Sequence, residues 1–252
     1  MGNSSCVVSL IKFVKEKEHA LTFLRGNLFC KPWVSFKDIE DKQRGDRLEL
    51  AASKLQTQVY VKDLNRSYNF WLEDGDSRFA PVFCMYHVSS RNRASSKKLQ
   101  LEDERLKEFG HYGVVIKNVG EFIDRLNRNL PSFSYGLIEY VDYSNLAGAN
   151  RTFKNPILQK DISDFKHQRE FRIYNAHFAI TNSKHLDNPT IEIIQPNEFG
   201  ASLFSIGDIS DIAEIRSMDE LFLGVEINIQ NSVSKNNLSK DLWWDGENYR
   251  EV

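Results

Sequence analysis

An α+β fold, with a single mixed and mainly antiparallel sheet and flanking helices, is what this sequence predicts. Three observations carry that expectation. Residues 111–116 (H-Y-G-V-V-I) have the apolar run of a strand. Phe122, Ile123 and Leu126 then follow at helical spacing, with Pro131 closing the segment, and 136–143 returns to strand character. Such a strand–helix–strand run places helices on a sheet. Residues 80–88 (A-P-V-F-C-M-Y-H-V) are almost continuously apolar between polar turns, as in a strand covered on both faces. An aromatic share of 12% argues against disorder and suits a chain with many strands.

Taken in order, apolar positions at Leu10, Ile11, Phe13, Val14, Ala20, Leu21 and Leu24 predict a helix over 10–25, with Gly26 ending it. Residues 28–36 read as a strand made bent or peripheral by Pro32. The stretch F-K-D-I-E-D-K-Q-R-G-D-R-L-E (36–49) is a charged loop around a Gly45 turn. Residues 50–61 begin helical and end as a strand, and 69–72 is a short aromatic strand. Residues 99–109 form an acidic and basic helix, and Asp161 caps a short helix leading into a strand at Glu170. Strands at 190–194 and 221–229 flank a helix over 212–215 capped by Asp208 or Ser210. One domain spans 1–230, and 231–252 is a polar tail bearing Trp243 and Trp244.

Composition limits the function classes. A net charge of −2 gives no global field for nucleic acid or an acidic membrane. The four basic residues within 89–98 offer only a weak local nucleic-acid contact. Three cysteines without C-x-x-C spacing argue against a zinc site or a disulfide framework. No metal ligands are assigned, because the six histidines include no pair at helical metal spacing, although His87 and His111 border strands that bring them together across a sheet. No apolar run reaches the roughly 20 residues of a membrane helix, and the expected location is cytoplasmic. Protein partners are expected at the 36–49 loop or at Trp243 and Trp244.

The densest chemistry lies at 160–174, K-D-I-S-D-F-K-H-Q-R-E-F-R-I-Y. On an extended strand Gln168, Glu170 and Arg172 point one way, and His167, Arg169, Phe171 and Ile173 the other. Glu170 is therefore either a catalytic carboxylate or a salt-bridged strand residue. With Asp161 or Asp164 it is also a candidate Mg²⁺ ligand of a nuclease, although Arg172 stands where such sites carry a lysine.

Two resemblances add to this. The runs H-A-L-T-F-L-R-G-N-L-F and 36–49, with the later K-D-I-S-D-F-K-H-Q-R-E-F-R-I, resemble a family of bacterial proteins from abortive-infection and phage-related loci. That resemblance implies a defence or toxin-like role without naming an activity. The Gln168-x-Glu170 pair is similar to the late-strand motif of ADP-ribosyltransferases. This second resemblance implies NAD as cofactor and Glu170 and Gln168 as catalytic residues. It also implies Arg25 gripping the dinucleotide and Tyr112 stacking on nicotinamide; Arg44, which the charged loop can bring to a polar cleft, is a further candidate cofactor contact. Chemically, one carboxylate against an oxocarbenium-like ribose and an arginine on a pyrophosphate suit that reaction. The non-enzymatic alternative is an interaction or sensor protein in which Glu170 pairs with Arg172.

Overall fold

The computed structural model describes residues 6–36, 51–61, 66–73, 77–90, 98–142, 151–152, 155–176, 201–244 and 249–251. Its strands begin with β1 (Cys6–Val14), β2 (Asn27–Pro32), β3 (Ala51–Val61), β4 (Arg66–Glu73), β5 (Pro81–Ser89) and β6 (Lys98–Leu99). Next come β7 (Tyr112–Ile116), β8 (Ser134–Leu137), β9 (Glu139–Val141), β10 (Arg151–Thr152), β11 (Gln159–Asp161) and β12 (Glu170–Tyr174). The remainder are β13 (Ser202–Ser205), β14 (Ala213–Ser217), β15 (Val225–Glu226), β16 (Val233–Ser234), β17 (Leu242–Trp244) and β18 (Tyr249–Glu251). The α-helices are α1 (Lys17–Leu24), α2 (Val119–Asn129), α3 (Ile162–Phe165) and α4 (Met218–Leu223).

The fold is α+β, as expected. Nine strands form one sheet in the order β13-β2-β5-β1-β7-β14, with β12 and then β8 on the other edge of β5 and β16 beside the start of β1. Every pairing within it is antiparallel. Smaller sheets accompany it: β10-β3-β4, β9 with β11, β6 with β15, and β17 with β18.

Both faces of the main sheet are covered, which accounts for the unbroken apolar run of β5. On the first face Leu10, Phe83, Met85, Val114, Ile116, Phe171 and Ile173 pack under Ala20 and Phe23 of α1 and under Val119, Phe122 and Leu126 of α2. On the second, Ile11, Tyr86, Val88 and Val115 meet Leu99, Leu101, Leu106 and the α4 residues Met218 and Leu221. Further along that face Val82 and Tyr174 join Trp33 and Ile157.

This coverage explains where the chain departs from its sequence pattern. The helix expected from residue 10 is instead the central strand β1, followed by the shorter α1, because Leu10 and Ile11 are buried on opposite faces. Residues 51–61 are strand throughout. A 3₁₀ turn at Glu104–Phe109, N-capped by Asp103, replaces the helix expected at 99–109. The expected helix at 212–215 is the edge strand β14, and the strand expected at 221–229 begins as α4, which Ser217 and Glu220 start with a capping box. The polar tail is tied into the body: β16 pairs with Cys6 and Val7, Leu238 lies fully buried in the first core, and Lys240 bridges to Tyr135. The strand expected at 190–194 lies outside the described residues, as does the Gly45 turn.

Gly26 adopts φ +81°, and a Cβ there would lie 1.8 Å from the carbonyl oxygen of Gly207. Only glycine allows that approach between the end of α1 and the turn after β13. Gly26→Ala is therefore expected to cost about 3 kcal/mol in a urea unfolding experiment. A loss under about 1 kcal/mol would show that the two backbones are not in contact.

Candidate functional site

Cross-strand partners in an antiparallel ladder share a face. Glu170 pairs with Tyr86 and Arg172 with Cys84, so all four point to the second face, between its two apolar clusters. Phe171 and Ile173 point to the first face and enter its core. The alternation expected for the Glu170 strand therefore holds from Glu170 onward. It stops at Arg169, whose φ of 39° and ψ of 55° put it in the left-handed region. Gln168 ends a 3₁₀ turn and is not on the strand, yet its side chain still reaches the same cluster.

Three elements converge on the Glu170 carboxylate. Arg172 Nε donates to Oε1 at 2.7 Å, and Lys160 Nζ of β11 meets Oε2 at 2.8 Å. The Cys84 side chain, opposite Arg172 on β5, lies beside the same group. Lys160 Nζ also donates to Gln168 Oε1 at 2.8 Å, and Arg172 Nη1 to the Ile157 carbonyl at 2.7 Å. The Tyr140 hydroxyl of β9 accepts from the Glu170 backbone N–H at 2.9 Å. Glu170 is 5% exposed, Lys160 3% and Arg172 0%.

Electrostatics follow from this packing. Burial alone would raise the Glu170 carboxyl, but Arg172 and then Lys160 outweigh it and hold it well below the usual carboxylate range. Burial, with Glu170 beside it, pushes the Cys84 thiol up to about 12, so the thiolate is scarce and the sulfur unsuited to nucleophilic attack. Burial first, and the nearby Glu170 next, also raise Tyr140. On the opposite face Lys12 Nζ lies 4.2 Å from the Phe83 ring centre and donates to the Cys84 carbonyl at 2.8 Å. It fills the gap along β5 between Val82, which pairs with β2, and Tyr86, which pairs with β1. Desolvation there lowers the Lys12 ammonium.

The structure brings together Glu170 and Gln168 and adds Lys160, Arg172, Tyr140 and Cys84. It does not bring Arg25 or Tyr112 to them. Arg25 is the exposed C-cap of α1, on the first face. Tyr112 opens β7, which β1 and β5 separate from β12. Arg44 lies outside the described residues. His87 and His111 do not meet: Leu10 pairs with His87 on one side and Ile116 on the other, whereas His111 precedes the far end of β7. Asp161 is spent on the N-terminus of α3, where it accepts from the Ser163 N–H, and Asp164 is exposed. Among the described residues no three His, Cys, Asp or Glu side chains converge as a metal site. Of the basic loop, 91–97 lie outside the described residues, and of Trp243 and Trp244 only the backbone course in β17 is described. Lys160 stood within the dense stretch, but ten residues before Glu170 its role had no sequence signal. Tyr140 and Cys84 are joined to it only through sheet pairing.

Comparison with protein-family models, with curated proteins and with solved structures finds no match to this chain.

His87, 8% exposed, donates its backbone N–H to the Arg169 carbonyl at 2.8 Å. Burial, with Lys235 and Arg169 nearby, lowers its imidazole from 6.5 to about 4. Between pH 4 and 6.5 the unfolded chain thus binds more protons at this residue, and its contribution to stability rises with pH across that window. Wild-type protein is expected to gain about 3 kcal/mol there relative to His87→Leu. Parallel pH–stability curves for the two proteins, measured by urea unfolding, would contradict this.

Proposed function

We propose that this chain works in the cytoplasm by binding a protein partner, in the phage-defence setting its resemblance implies, and not as an NAD-using enzyme acting through Glu170. One observation carries the reading: both Glu170 carboxylate oxygens are engaged by buried cations, Arg172 at 2.7 Å and Lys160 at 2.8 Å. A transferase carboxylate has to face ribose hydroxyls and a developing positive charge. Two neighbouring cations weaken that stabilisation, and the same cations disfavour Mg²⁺ for a nuclease. Burial of a paired carboxylate is instead what a structural role requires.

Surface composition supports the binding side of the proposal. Phe29 and Leu203 lie opposite each other on β2 and β13 and are 49% and 38% exposed. Phe79 is 56% exposed beside the Arg78 guanidinium. Large apolar side chains left open at neighbouring positions are a common feature of protein contact surfaces. Among the described residues no helix is long and apolar enough to cross a membrane.

Purified protein should neither consume NAD⁺ nor cleave nucleic acid with Mg²⁺, at enzyme concentrations where an authentic enzyme of either kind turns over. Turnover of either substrate by wild-type protein that is abolished in a folded Glu170→Gln variant would overturn the reading.

A further inference from the structure

Residues 157–169 cross the second face of the sheet as β11, α3 and a 3₁₀ turn, and cover the Glu170 cluster. Three features distinguish this segment. Its one strand, β11, pairs in parallel with only the three residues of β9 and is not part of the main ladder. The polar groups that packing leaves unsatisfied concentrate in it. Among the described residues four buried side-chain polar atoms have no hydrogen-bond partner, and three of them are Gln159 Oε1, His167 Nδ1 and His167 Nε2. The fourth, His87 Nδ1, belongs to the residue whose N–H donates to the Arg169 carbonyl. Finally, Arg169, where the segment rejoins the sheet, is the one non-glycine residue with positive φ among those described.

We infer that residues 157–169 form a strap that lifts from the sheet as a unit while the nine strands stay paired, uncovering Glu170 and Arg172. Each buried polar atom without a partner opposes closure, since water satisfies it once the strap is open. The left-handed Arg169 stores backbone strain in the same sense. Closure is held by Lys160 on Glu170, Arg172 on the Ile157 carbonyl, the three-residue pairing of β11 with β9, the His87 N–H on the Arg169 carbonyl, and the packing of Ile157 and Leu158 on Trp33 and Val82. A segment held by a localised lock against concentrated polar cost opens below the global unfolding free energy.

Hydrogen exchange on the 252-residue chain tests this. Amides of 159–168 should exchange at least about 100-fold faster than those of 82–88 and 171–174, through openings that depend weakly on denaturant. His167→Phe keeps a ring of similar size and removes two unsatisfied nitrogens. It should slow strap exchange about tenfold and leave β5 unchanged. Lys160→Met should do the opposite, quickening strap exchange while β5 is unchanged. Equal exchange rates for strap and sheet in wild-type protein would overturn the inference. So would a strap that exchanges no more slowly in His167→Phe than in wild type.

Discussion

The Glu170 carboxylate sits between Lys160 and Arg172 with almost no access to water, and the arrangement on the second face of the sheet depends on that contact. A carboxylate cannot be buried at this depth unpaired, because removing one partner from a buried ion pair costs roughly 3–5 kcal/mol. Arg172 is the partner that local geometry provides, two residues along the same strand. Lys160 comes from a different element, and its ammonium pulls β11 onto the sheet. The Gln168 amide oxygen and the Ile157 carbonyl each accept a further hydrogen bond from these cations. The segment between them is drawn over the face as a consequence.

That arrangement bears on what the carboxylate can do. An acid for catalysis needs an oxygen turned to substrate and an environment that does not already neutralise it. Glu170 has cations on both oxygens. The residues that would have to complete an NAD site are divided among separate places, with Arg25 capping α1 on the first face and Tyr112 opening β7. The chemistry concentrated at 160–174 thus reads as the means of fastening one layer to another. Phe29 and Leu203, which face solvent, lie apart from it on β2 and β13.

Much of the fold was legible in the sequence, and the exceptions have physical reasons. The apolar run of β5 and the helical spacing of Phe122, Ile123 and Leu126 named their elements because burial there follows one clear period. For β1, Leu10, Ile11, Phe13 and Val14 satisfy a helical period as well as a two-faced strand, and only β5 and β7 on either side decide between them. Residues 213–217 form a strand by completing the ladder beside β7 against any local helical tendency. At the site, the Glu170–Arg172 pair was one of the two readings that charge density and a spacing of two left open. The departure of Gln168 was not legible, because the left-handed turn at Arg169 breaks the alternation without a glycine to announce it. Lys160, Tyr140 and Cys84 reach the carboxylate only by tertiary pairing, which no local pattern encodes.

Lys160 and Glu170 stabilise the fold through each other. A double-mutant cycle on Glu170→Gln and Lys160→Met, read by equilibrium unfolding in urea, measures this directly. A coupling energy of about 2–3 kcal/mol is expected, with the double variant less destabilised than the sum of the singles. Single-variant losses that add to within about 0.5 kcal/mol would contradict it.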